Sequence, residues 1–339
     1  MMLLILAAAA AAAPQTGELR TFRDWTVGCD NGLACGAIAL LPENEDWDQW
    51  MTMSVSRGAG RGDTPAVTLQ AIETQPAALI ADGRPLAVRF EGHIDGYTVV
   101  ADDPAAFIAT LQSAQRLDAR GSDGATIGRI SLSGATAAML YMDEQQRRVG
   151  TATALVRPGI ESASAVPVPP ALPIVTLSPA PGIEAPIAIS AARIDALRRE
   201  SGCTVEEVGG PDHHDAEAIA PGTTLVLLAC GSGAYNVTYI PYIAEREGDA
   251  VAIRIAPFDS QWGLEDEELG RPTLINAGWD SEGRLLGEYS KGRGLGDCGR
   301  RAEYGWDGSR FRLVSQEDMD ECRGSYHYIP TWNTQVERP

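Results

Sequence analysis

The chain has 339 residues, 44% of them hydrophobic and 22% charged, which fits folded protein and leaves room for two domains. Its formal charge of −19 is shared unevenly: 12 Arg face 18 Asp or Glu up to Ile160, and 15 Lys or Arg face 28 Asp or Glu from Glu161 onward. Such a field repels polyanions and anionic lipid over a Debye length of about 8 to 10 Å, which argues against nucleic acid as a partner.

Residues 1–13, running from Met1-Met2-Leu3-Leu4 into alanines, have the length and small-residue end of a signal peptide. They fall short of the roughly 20 apolar residues that span a bilayer, and no later run reaches that length. Six cysteines, Cys29, Cys35, Cys203, Cys230, Cys298 and Cys322, suit an oxidising compartment. Six permit 15 connectivities, and pairing of sequence neighbours is expected, each closure contributing about 2 to 3.5 kcal/mol in the loop-entropy picture. No C-x-x-C pair or H-E-x-x-H run stands in the chain, so neither metal nor cofactor is expected.

From Arg20 to Val156 the pattern is mostly strand. Phe22–Gly28 and Ala37–Leu41 flank Asp30-Asn31-Gly32, a hairpin signal with Cys29 and Cys35 across its base. Further strands are expected at Met51–Ser56, Ala66–Ile72, Leu86–Phe90 and Tyr97–Val100, with a turn at Asp95-Gly96. A helix should run from Pro104 to Ala114 behind an Asp103 cap. A second follows Ser133, where Ala135, Ala138, Met139 and Met142 recur at helical spacing and read as core.

Residues 158–186 carry eight prolines and read as an extended, semi-rigid linker between residues 14–157 and 187–339. The second part opens with a helix capped by Ser190, with Ile194 and Leu197 inward and Gly202 past its end. Strands follow at Thr224–Ala229, Val237–Ile243, Val251–Ala256, Leu285–Ser290 and Arg310–Val314, with a hairpin turn at Asp307-Gly308. The fold class expected is α+β, mainly β: two β-rich domains with a few short helices.

Several segments stand out together. They are Asp24-Trp25-Thr26-Val27-Gly28-Cys29, Ser131-Leu132-Ser133-Gly134, Met142-Asp143-Glu144-Gln145-Gln146-Arg147-Arg148-Val149-Gly150-Thr151, Cys230-Gly231-Ser232-Gly233-Ala234-Tyr235-Asn236, Lys291-Gly292-Arg293-Gly294-Leu295-Gly296-Asp297-Cys298-Gly299 and Cys322-Arg323-Gly324. In this order they resemble an envelope family of proteobacteria known as domain of unknown function 1176. The first half is also distantly similar to the invasion-associated locus B family. The resemblance implies export, disulfides and a two-part organisation, and it supplies no reaction.

Lys291–Gly299 is the most unusual segment. Its glycines, beside Lys291 and Arg293, could form a backbone nest for an anion, or a tight loop in which glycine supplies positive φ. Asp297 could pair with Arg293 there. Tyr235 and Asn236 follow an apolar strand and would line a pocket with Lys291 if the two segments meet; Arg323 completes the candidate ligand-binding set. Asp212-His213-His214-Asp215 lacks metal-ligand spacing and reads as a solvated loop or helix start, and Trp262–Glu268 lacks the alternating oxygen ligands of a calcium loop. The leading expectation is an exported, non-catalytic binding protein for an envelope component or another protein. The alternatives are a periplasmic hydrolase using carboxylates or His327, and a purely structural envelope protein.

Overall fold

The computed structural model describes residues 13–43, 48, 50–70, 74–94, 96–203, 214–248, 250–259, 265–266 and 271–339. Most of the expected leader lies outside these residues, as do Ile72, Asp95, Asp212, His213 and most of Trp262–Glu268.

The architecture is mainly β, with three α-helices among the described residues. A seven-stranded antiparallel sheet comes first, in the order Arg20–Phe22, Trp25–Cys29, Cys35–Ala39, Met53–Arg57, Ala66–Gln70, Gly96–Ala101, Val88–His93. Alternation builds it: in Met53–Arg57 the odd positions are buried and Ser54 and Ser56 point away. The Cys29–Cys35 disulfide joins residues directly opposite one another at the hairpin's mouth. The hairpin loop is longer than a two-residue Asn-Gly turn, because the Asp30 carboxylate accepts hydrogen bonds from the Gly32 and Ala34 amides and Leu33 takes a positive φ.

Helices α1 (Pro104–Ser113) and α2 (Ala135–Gln145) close this core. Asp103 caps α1 by accepting from the Ala106 amide at 3.0 Å. Met139 and Met142 are fully buried against Trp25, whose indole N–H donates to the Ser131 carbonyl at 2.9 Å. Strands Ala78–Ala81, Arg116–Arg120 and Thr126–Ser131 of a second sheet were not anticipated from the sequence pattern. Leu79, Leu117 and Ile130 bury, but Arg116, Asp118, Arg120 and Arg129 interleave with them and hide the apolar period.

The end of α2 carries a buried polar knot. The Arg57 guanidinium donates to Asp143 at 2.8 Å and to Gln146 Oε1 at 2.6 Å. The Asp143 carboxylate also accepts from the Leu155 and Val156 amides. Arg148, fully buried, donates to the Gly60 and Arg61 carbonyls and to Thr153 Oγ1. The segment Met142–Thr151 is therefore a structural staple for the chain around 57–61 and 151–156.

In the second half, helix α3 (Ala191–Ser201), a five-stranded sheet and a second five-stranded sheet form three layers. Thr223–Ser232 is the central strand of the middle layer. Val226 and Leu228 pack on Ile194 and Leu197 of α3, while Leu225, Leu227 and Ala229 pack on Leu286, Tyr304, Trp306 and Phe311 of the outer sheet. Burial on both faces explains why this strand reads as one continuous apolar run. Cys203–Cys230 ties the chain after α3 to it. The outer sheet has the order Gly278–Asp280, Leu285–Lys291, Gly299–Trp306, Phe311–Met319, Ile329–Asn333.

The proline-rich stretch is docked rather than free: Ile174–Thr176 pairs in parallel with Gln335–Glu337, and Val175 and Leu177 bury against Leu285 and Val314. The two halves meet where Ile38 and Leu40 pack on Met319, Tyr328 and Ile329. Gly28 and Gly36 are cross-strand partners, and a Cβ on Gly28 would lie 3.2 Å from Ile329 Cγ2 and 2.6 Å from Leu19 Cδ2. Glycine there lets Leu19 and Ile329 lie close on the hairpin.

Removing the Asp143 carboxylate leaves the buried Arg57 guanidinium without its ion-pair partner and the Leu155 and Val156 amides without an acceptor. Asp143→Ala should lower unfolding free energy in urea by about 3 to 5 kcal/mol; a loss below about 1 kcal/mol, the level of a surface pair, would contradict the staple.

Candidate functional site

The outer sheet positions the site. Leu285–Lys291 and Gly299–Trp306 pair antiparallel from Leu285↔Gly305 to Lys291↔Gly299, and residues 292–298 form the loop between them. The Cys298–Cys322 disulfide fixes this loop from one side.

Its interior is tightly used. The Gly292 amide donates to the Cys298 carbonyl and the Gly296 amide to the Arg293 carbonyl, so two amides that a nest would present are turned inward. Gly296 has φ +70°, and its carbonyl accepts from the Tyr289 hydroxyl at 2.6 Å and the Tyr328 hydroxyl at 3.1 Å. A Cβ at 296 would stand 2.6 Å from Tyr289 Oη. Burial and the hydrogen bond with Tyr289 raise the Tyr328 phenol, which stays protonated at neutral pH. The geometry favours a tight loop in which glycine is demanded locally.

Arg293 grips Asp297 with both nitrogens, at 2.7 and 2.5 Å, and the Gly324 amide adds a third bond to the same carboxylate at 2.7 Å. Burial works to raise the Asp297 carboxyl, but these donors outweigh it and hold the group below the usual carboxylate range.

Tyr235 and Asn236 do meet this loop. The Tyr235 hydroxyl donates to the Gly292 carbonyl at 3.1 Å, and Asn236 Nδ2 to the Lys291 carbonyl at 2.9 Å. The strand before them carries a register shift between Ala229 and Gly231. Asn276 takes a left-handed backbone, φ +46°. Asn276 Nδ2 donates to Asn236 Oδ1 and to the Tyr289 carbonyl, both at 2.9 Å, and knits three segments together. Nothing in its own sequence neighbourhood marks it.

Arg323 stands next in sequence to Gly324 yet turns away from the loop. It donates to the Leu41 and Arg23 carbonyls and to Asp24 at 2.5 Å, so its work lies between the halves. Lys291 stays beside the loop with its ammonium 5.4 Å from the Tyr289 ring centroid. Arg301, unforeseen in the sequence, lies 4.6 Å from the Tyr289 centroid and 4.5 Å from that of Tyr328. Tyr235, Leu295 and Tyr326 are exposed around the same loop.

Two open hollows flank the site. One of about 1110 Å³ lies between residues 14–20 and the sheet end that carries Arg300, Asp318 and Asp320. The other, of about 540 Å³, lies on the outer sheet face. His327 borders neither, and its main chain is tied to Ser325 Oγ. No cluster of three or more His, Cys, Asp or Glu suited to a metal occurs among the described residues. No helix among them is long and apolar enough to cross a membrane.

The depressed Asp297 carboxyl stabilises the fold above the unfolded pKa near 3.9, and that contribution fades as pH falls through the lower folded value. Melting temperature followed from pH 7 to 3 should drop less steeply below about pH 4 in Asp297→Asn than in wild type; identical slopes would contradict the pairing.

A family model described as a protein of unknown function, DUF1176, matches residues 19–336. The uncharacterized protein YpfG of Escherichia coli (strain K12) is 31% identical over 350 residues, covering 93% of this chain and 91% of the relative. No solved structure matches. A match across nearly the whole length, with a full-length relative at that identity, settles membership: this chain belongs to the DUF1176 family of proteins of unknown function.

Proposed function

We propose that the protein is exported to the periplasm or beyond and acts by binding an envelope component or another protein, through the loop 291–299 and its aromatic surround. Three disulfides fit an oxidising compartment. The cleaved leader, and a division into units 14–157 and 187–339 joined by 158–186, belong to this reading.

The observation that carries it is the exposure of Leu295 on a loop locked by a disulfide and the Arg293–Asp297 pair, with Tyr235 and Tyr326 exposed on the segments around it. Tyrosine and arginine are the residues that most often anchor interfaces, and a preformed loop loses little entropy on binding. The hydrolytic alternative has less behind it. Asp318, which lines the larger hollow with Arg300, already accepts from Thr331 Oγ1 and Gln316 Nε2. The purely structural alternative does not account for exposed tyrosines gathered around one rigid loop.

A photo-cross-linking residue at position 295 or 326 of the full-length protein in intact cells should yield a discrete adduct. The same residue at exposed Ile94, in the turn after the first sheet's Val88–His93 strand, should not. No adduct from either loop position, or the same adducts from position 94, would overturn the loop assignment.

A further inference from the structure

On the outer face of the second half's outer sheet, two rows of side chains cross three strands. Gly287, Glu303 and Ser315 are successive cross-strand partners, and so are Tyr289, Arg301 and Glu317. Gly278 extends the first row as the partner of Gly287. Residues paired across an antiparallel sheet share a face, so these groups border the 540 Å³ hollow from one side.

The hollow exists because its floor has no side chains. A Cβ on Gly278 would meet nothing within 4 Å, and one on Gly287 would meet only the Gly278 carbonyl oxygen at 3.8 Å. Neither residue has a positive φ, so neither glycine is required by the backbone. On the wall, the Arg301 guanidinium sits between the Tyr289 and Tyr328 rings, 4.6 and 4.5 Å from their centroids, and its hydrogen bond goes to the Tyr326 carbonyl at 3.4 Å. No carboxylate lies within ion-pair distance of it among the described residues. A guanidinium held between two rings, with most of its donors uncommitted, matches a carboxylate. On the same face stand two acids, Glu303 two residues along its strand and Glu317 its cross-strand partner. Glu303 is oriented by the Ser315 hydroxyl at 2.7 Å. Glu317 is half-buried and held above the usual carboxylate range by burial, with Arg301 opposing and Glu303 and Asp318 adding to the rise. A cation placed between the two acids relieves that repulsion.

We propose that this hollow binds a small zwitterion, an amino acid or the end of a short peptide, with its carboxylate on Arg301 and its ammonium between Glu303 and Glu317. The volume lies within the range of small-molecule sites. The site adjoins the contact loop through Tyr289 but does not depend on the loop's having a macromolecular partner.

The dipeptide Ala-Ala, its amide and its N-acetyl form separate the two charges. Titrated calorimetrically into the full-length protein, Ala-Ala should bind at least tenfold more tightly than the form lacking the carboxylate and the form lacking the ammonium. Arg301→Ala should erase the advantage over the amide, and Glu317→Gln the advantage over the N-acetyl form. Gly287→Leu fills the floor without backbone strain and should abolish binding at an unchanged melting temperature. Equal affinities for the three peptides, or unaltered binding to a folded Gly287→Leu protein, would overturn the proposal. Because the adduct at position 295 is read independently, failure of one result leaves the other standing.

Discussion

The guanidinium of Arg323 is the contact on which the arrangement of the two halves turns. It is buried, and it reaches out of the second half to the Leu41 and Arg23 carbonyls and the Asp24 carboxylate. Its planar fork suits three acceptors at once, which a lysine would not reproduce. The same residue lies between Cys322, bonded to Cys298, and Gly324, whose amide holds Asp297. Asp24 in turn accepts from Ser131 Oγ at 2.6 Å. A continuous set of hydrogen bonds and one disulfide thus runs from the Ser131 strand end to the loop 292–298. Burying this charge is tolerable because it is paired and its remaining donors meet carbonyls; truncating it would leave those acceptors unmet.

The apolar contact beneath this clamp follows from glycine rather than from large side chains. Gly28 and Gly36 leave a flat strip on the first hairpin, and Ile329 and Leu19 lie on it. Ile38 and Leu40 complete the patch with Met319 and Tyr328. The segments that carry the family resemblance fall into two physical groups. Asp24–Cys29, Ser131–Gly134 and Cys322–Gly324 serve the contact between halves, and Met142–Thr151 the polar knot beneath α2. Lys291–Gly299 and Cys230–Asn236 instead build the surface presented to solvent.

Much of this was legible in the sequence, for reasons that can be named. The hairpin around Asp30-Asn31-Gly32, the caps Asp103 and Ser190, and Gly202 past α3 rest on local chemistry, and local chemistry survives folding. The apolar run Thr224–Ala229 was legible because burial on both faces leaves no polar interruption. Strands such as Arg116–Arg120 were hidden by charges on their open side, and Gly299–Trp306 by Arg300, Arg301 and Glu303. At the candidate site, the joining of Tyr235 and Asn236 to Lys291, and the Arg293–Asp297 pair, were foreseen as conditional contacts. Arg301, Asn276 and the glycine floor were not, since each acquires meaning only through the register of strands distant in sequence. Arg323 was placed in the right neighbourhood but with other partners, because the long, flexible arginine side chain lets its guanidinium serve either side of its backbone.

The central claim is that one clamp holds both the junction of the halves and the exposed loop in a single preformed shape. Hydrogen exchange on the full-length protein and on Arg323→Ala tests it most directly. The account predicts that residues 36–41 and 291–299 lose protection together while the central strand 223–232 keeps it. A loop that retains wild-type protection while 36–41 opens would contradict it.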